Sequence, residues 1–211
     1  MPVTVSLGAG LLLGLVGPVA GKWDNPICVA VGIVFSSGWP WACYAFLVGY
    51  FRRSKIESAL LSFLGLAIGV VTYYLFKDMN PTVPAGTELT DSIPAGLEPD
   101  TSGEGQIRVW GITAFVFGVP VGLLGNVART PGIGGLLFRL LVPLIAFFEA
   151  TQRLSTEAES QSPVFAITWN VIRGAACVIA AALIGRTVWS WRVRRSRADE
   201  RTEVAAPVRR L

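Results

Sequence analysis

The sequence predicts an all-α, polytopic membrane protein: a six-helix transmembrane bundle with both termini cytoplasmic. Two observations carry that prediction. Of 211 residues, 52% are hydrophobic and only 15% are charged, against about 25% charged in a soluble domain, and the mean hydropathy is +0.55. The apolar residues also lie in six runs, not amphipathic stripes, and the basic residues between them fall alternately on one side and the other.

The runs are 3–20, 27–51, 56–76, 107–127, 132–154 and 164–191, which makes 1–191 one membrane domain. The second, third, fourth and sixth reach the ~20 apolar residues that a spanning helix needs, and the first is marginal. The first ends in Val19-Ala20-Gly21, which resembles a signal-peptide cleavage site. No Lys or Arg precedes it, so a retained helix is expected.

The second run carries Ser36-Ser37-Gly38-Trp39-Pro40-Trp41 at its centre. Pro40 has no amide donor and frees the Ser36 carbonyl one turn earlier. In lipid that carbonyl needs another partner, which Ser37, a water or a ligand would supply. Tryptophan gathers at headgroup level, yet Trp39 and Trp41 fall near mid-bilayer. One reading is a kinked helix lining a pocket, with flat aromatic walls for an apolar or cationic ligand. The other is an aromatic packing seam around a proline kink, and both stay open. The third run closes on the pair Tyr73-Tyr74.

The connection 77–106 reads as an external loop. Val83-Pro84-Ala85-Gly86-Thr87-Glu88 recurs as Ile93-Pro94-Ala95-Gly96-Leu97-Glu98, with prolines and glycines that favour turns. Its acids (Asp78, Glu88, Asp91, Glu98, Asp100, Glu104) would bind calcium only weakly, because the DxDxDG pattern is absent. A solvated linker is the favoured reading. Gly17-Pro18-Val19 faintly echoes Gly118-Val119-Pro120-Val121, as in an inverted repeat, but Gly and Pro are common in membrane helices.

The fifth run is interrupted. Arg139 and Glu149 lie ~15 Å apart along a helix, half of a ~30 Å hydrocarbon core, so one of them sits at hydrocarbon depth. An ionisable group there is costly and is a candidate functional residue. Glu149 shares a helix face with Arg153. Arg173 follows Trp169 by one turn in the sixth run, and a Glu149–Arg173 bridge between adjacent antiparallel helices is expected. Arg139 snorkels towards the cytoplasmic side. Pairing is favoured over a ligand or proton site for these four residues.

The sixth run ends at Trp189 and Trp191, followed by a basic cytoplasmic tail, 192–211. Such a tail contacts anionic lipid at about 1 kcal/mol per basic residue. Nucleic acid is not an expected partner, because Asp199, Glu200 and Glu203 interrupt the arginines. Arg52, Arg53, Lys55, Arg129 and the tail arginines mark one side as cytoplasmic, whereas Lys22, Lys77 and Arg153 have more acidic company on the other.

Several chemistries are disfavoured. There is no histidine, and Cys28, Cys43 and Cys177 sit within apolar runs without CxxC spacing. Neither a metal nor a cofactor is expected. The sequence has no GxSxG, Walker A, GxGxxG or HExxH motif.

Pro40-Trp41, Tyr73-Tyr74 and Phe148-Glu149-Ala150 are the features by which the helical core resembles small bacterial multi-pass membrane proteins, a family with no assigned activity. The resemblance implies one compact bundle in the cell (plasma) membrane and leaves out the proline-rich loop and the tail.

The expected function is binding or transport of a small, largely apolar molecule. Candidate ligand-binding residues are Ser36, Ser37, Trp39, Pro40, Trp41, Tyr73, Tyr74, Glu149 and Arg173. The chief alternative is a membrane enzyme acting on an isoprenoid or lipid, in which Glu149 donates a proton, as in terpene cyclisation, and the aromatics stabilise a carbocation. A third is an accessory subunit of a membrane complex. It would dock a partner helix or another copy through its charged fifth helix and small residues such as Gly10, Gly14 and Gly17. Expected partners are therefore the lipid bilayer, a small apolar ligand, and an oligomer or partner subunit.

Overall fold

The computed structural model describes residues 2–80, 103–157 and 162–205, and among these every regular element is a helix. In chain order they are α1 (Val3–Ala20), α2 (Pro26–Phe35), α3 (Gly38–Phe51), α4 (Lys55–Met79), α5 (Gly103–Val127), α6 (Ile133–Arg139), α7 (Leu141–Glu157) and α8 (Pro163–Ala205). Among the described residues, five stretches are long and apolar enough to cross a membrane, with a sixth if the bent pair α2–α3 forms one span. The 83–98 repeat, with the acids Glu88, Asp91, Glu98 and Asp100, and the last arginines Arg209 and Arg210 lie outside the described residues.

Local chemistry explains where the helices begin and break. The Asn25 side chain accepts the Ile27 N–H at 2.9 Å, and Pro26 occupies the first helical position of α2, where no amide donor is needed. Ser54 Oγ accepts the Glu57 N–H at the start of α4, a Ser-x-x-Glu start with the acid in the first turn. Pro143 has no N–H to give the Arg139 carbonyl, so the fifth run divides into α6 and α7 at Leu140. The bonds on either side of that gap, Leu140 N to Leu136 O and Leu144 N to Leu140 O, are both 3.0 Å and keep one path. Pro18 and Pro120 lie inside α1 and α5 without ending them. The helix of the sixth run continues through most of the expected tail: α8 extends to Ala205, about 65 Å in all.

Backbone contact at glycine holds the centre together. Gly10 and Gly14 of α1 face Gly65 and Gly69 of α4, and a Cβ at either α1 position would strike the opposing main chain. Gly49 of α3 meets Gly122 of α5 in the same way, and Gly125 lies against the Phe46 carbonyl. Close approach of this kind gives van der Waals contact in a solvent as apolar as the side chains. The α1 glycines, a possible docking stripe for a partner, are thus used within the chain. Polar ties join α3 to α1 and α4. Tyr44 donates to the Ser6 carbonyl at 2.7 Å, and Ser62 donates to the Ala45 carbonyl at 2.9 Å. Around them Leu13, Tyr44, Ala45, Val48, Leu61, Leu66, Val70 and Ala114 form the main core.

The arginines at one end of the bundle close helix termini. Asn126 and Arg129 both donate to the Arg52 carbonyl, at 2.6 and 2.8 Å, and Arg52 reaches Ser6 Oγ at 3.3 Å. Arg139 Nε donates to the Ala128 carbonyl at 2.8 Å, which offsets the cost of its position at the end of α6. Helices α7 and α8 form an outer hairpin, joined to the rest mainly through α2 and α3. Its own small core contains Ala150, Phe165 and Trp169, with Trp39 packed against them.

Candidate binding site at a broken helix

The helix of the second apolar run is broken, not merely kinked. α2 stops at Phe35, α3 restarts at Gly38, and the two axes differ by 61°. Ser36, Ser37 and Gly38 are weak helix formers, and Pro40 offers the Ser36 carbonyl no donor. A break within an apolar run leaves carbonyls at the end of one half and N–H groups at the start of the other. Both ends are met by side chains. The Trp41 indole N–H donates to the Phe35 carbonyl at 3.0 Å, and Ser37 Oγ donates to the Val34 carbonyl at 2.5 Å. On the other side, Gly38 N donates to Glu149 Oε1 at 3.0 Å and Trp39 N donates to Oε2 at 2.9 Å.

Glu149 is therefore the cap of α3. The positive end of the helix dipole faces a carboxylate, a favourable pairing. This corrects the expected ion pair. Arg153 bonds Glu157 on its own helix at 2.5 Å, and Arg173 bonds Asn170 at 2.9 Å, so neither is the partner of Glu149. The partner was unreadable in the sequence because it is main chain from a segment 110 residues away.

A cavity of about 500 Å³ opens beside the break, within the ~300–1,000 Å³ range of small-molecule sites. Ser36, Ser37, Trp41, Tyr73, Tyr74 and Glu149 line it. The Trp41 and Tyr73 rings meet edge to face at 6.4 Å, and Tyr73 and Tyr74 do so at 5.0 Å, giving a continuous aromatic wall. Trp110, Thr113 and Phe117 of α5 complete the enclosure, with Leu66 and Val70 of α4. None of these five stood out in the sequence; Trp110 reads as an ordinary interfacial tryptophan near a helix start.

The remaining candidates lie elsewhere. Trp39 points into the hairpin's core, where its indole N–H is buried without a partner. Pro40 is buried, and neither it nor Arg173 lines the cavity. Among the described residues no three His, Cys, Asp or Glu side chains come together as a metal site.

A second cavity, also about 500 Å³, lies against the other side of the break and shares Ser36, Ser37 and Tyr73 with the first. Its wall is more polar, with Lys22, Asp24, Lys77, Asn80 and Arg153, and it is backed by Trp169. Lys22 donates to Asn80 at 2.9 Å and lies over the Phe76 ring. The two chambers thus meet at the interrupted backbone.

Four features hold the break: poor helix formers, Pro40, Trp41 and Glu149. Pro40→Ala alone is therefore expected to leave it in place, because the new N–H appears in the first turn of α3, among donors that already lack intrahelical partners. Spin labels at positions 28 and 47 would lie about 28 Å apart along a straight helix. An unchanged, shorter mean distance in Pro40→Ala is the expected result, and lengthening towards that value would show proline to be the sole cause.

In comparisons with known proteins, the chain matches no family model, no curated protein and no solved structure.

Proposed function

We propose that this protein binds a small, largely apolar molecule in the cavity beside the broken helix and moves it along the membrane-spanning bundle. The observation that carries the reading is the cavity itself: apolar and aromatic walls converge on a break whose exposed main-chain groups are held by Trp41 and Glu149. Discontinuous helices with ligand sites at the break recur in transporters, because the loosened backbone can reach a substrate at membrane depth.

The same reading places the protein in a bacterial plasma membrane with both termini cytoplasmic. In support, Arg52, Arg129 and Arg139 gather at one end of the bundle, and Lys22, Lys77 and Arg153 lie towards the other. The enzyme alternative fits less well. Both Glu149 oxygens accept main-chain N–H groups, so the side chain is engaged in holding the break. The accessory-subunit reading loses its small-residue stripe to the contact between α1 and α4.

Purified protein titrated with decanol tests the reading. At a ligand concentration of 100 times Kd, stabilisation by about 2.7 kcal/mol is expected. Ala42→Trp, which fills the cavity, should abolish that shift, whereas Leu64→Trp on an exposed face should preserve it. Equal shifts in both variants would remove the cavity from the mechanism.

A further inference from the structure

The two chambers differ in character, and the difference specifies a ligand. The inner one is walled by Trp41, Tyr74, Trp110 and Phe117 and, among the described residues, offers Glu149 as its one charged group, already engaged by two N–H donors. Among the described residues, the outer one presents Lys22, Lys77 and Arg153 against one lining carboxylate, Asp24. Glu157 offsets part of the Arg153 charge. Lys22 gives one of its three ammonium hydrogens to Asn80, which leaves two for an incoming acceptor. Between the chambers lie Ser36, Ser37 and Tyr73, all common to both walls.

We infer that the ligand is an anionic amphiphile, its apolar tail lying in the inner chamber and its phosphate or carboxylate head among Lys22, Lys77 and Arg153. The inference rests on the binding function proposed above and adds the head chemistry. A wholly apolar molecule would fill one chamber and gain nothing from the cations of the other. An anion without a tail would meet lysines and an arginine near water, where screening makes pairing weak. Joined to a tail, the same head is held at high local concentration beside the cations, and the tail supplies the affinity. A cationic head would be repelled at the outer chamber and would find the inner carboxylate already occupied.

Four probes with purified protein test this: decanol, decyl phosphate, decyltrimethylammonium and inorganic phosphate, with bound ligand counted by native mass spectrometry. Decyl phosphate should bind about tenfold more tightly than decanol, a difference of about 1.4 kcal/mol. Decyltrimethylammonium should bind more weakly than decanol, and inorganic phosphate should not compete with decyl phosphate at equal concentration. In the double variant Lys22→Gln/Lys77→Gln the phosphate preference should fall to within about twofold of decanol, while decanol binding stays unchanged. Salt should erode the preference in the unsubstituted protein and not in the variant.

Equal binding of the three decyl compounds would overturn the anionic head and leave the proposed function standing. Tight binding of inorganic phosphate would overturn the amphiphile in favour of a free-anion site. Failure of every decyl compound to bind would overturn both readings. Preference retained in the double variant would overturn the assignment of the head to this chamber.

Discussion

Glu149→Leu is expected to lose on the order of 3 kcal/mol of stability in detergent and to abolish ligand retention in the cavity. The substitution keeps bulk and apolarity but strands the part-buried Trp39 N–H, a loss of about 1–3 kcal/mol, and the more exposed Gly38 N–H, a smaller one. It also removes the charge at the positive end of α3, worth up to about 2 kcal/mol in a partly buried setting. Water entering the adjacent cavity recovers part of that sum. Glu149→Gln should cost about half as much, because its carboxamide oxygen can accept one of the two N–H groups while its NH₂ opposes the other. Double-mutant cycles with Arg153→Gln and Arg173→Gln should be additive within about 0.5 kcal/mol, as expected of groups that share no bond. Denaturation followed by helical circular dichroism measures each term. A coupling above about 1 kcal/mol with either arginine would show that the ion pair, not the helix cap, is the residue's main tie.

Gly14→Leu is expected to have a comparable effect on the fold by another route. A Cβ at Gly14 would meet the Gly69 carbonyl and Cα, atoms of a helix backbone that cannot rotate aside as a side chain can. The helices must separate, and the contact one turn away between Gly10 and Gly65 opens with them. Overpacking of this kind costs about 1–3 kcal/mol, and in lipid no hydrophobic force between helices compensates. Gly8→Leu, on the same helix with nothing within 4 Å of its Cβ, is the control. It should stay within about 0.5 kcal/mol of the unsubstituted protein. Equal melting of the two variants would remove the glycine contact as the basis of the pairing between α1 and α4.

These two positions show how differently the sequence discloses its features. That Arg139 or Glu149 is expected at hydrocarbon depth follows from simple length arithmetic, because hydrophobic runs must match a bilayer of fixed thickness. The partner of Glu149 does not, since main-chain N–H groups are present at every residue and leave no mark in composition. Gly10 and Gly14 announce a close helix contact by their spacing, but not whether the facing helix belongs to the same chain. Ser36 through Trp41 signal disruption of a helix, because each rule involved is local. The sharpness of the break depends on Trp41 reaching back to Phe35 and on Glu149 arriving from α7.

By itself the sequence determined the solvent of this protein, its helical class, the approximate limits of its apolar segments and the place, Ser36 to Trp41, where one helix is disrupted. Each depends on hydropathy or on local backbone chemistry, and both are written residue by residue. Tertiary structure alone decided what caps that helix, which tryptophan faces a cavity and which faces a core, and where Lys22, Lys77 and Arg153 converge. Those outcomes turn on the rotation of each helix about its axis and on which helices become neighbours. Nearly uniform apolar runs encode neither strongly, because in lipid almost every face is acceptable to the solvent, and packing at a few glycines makes the choice.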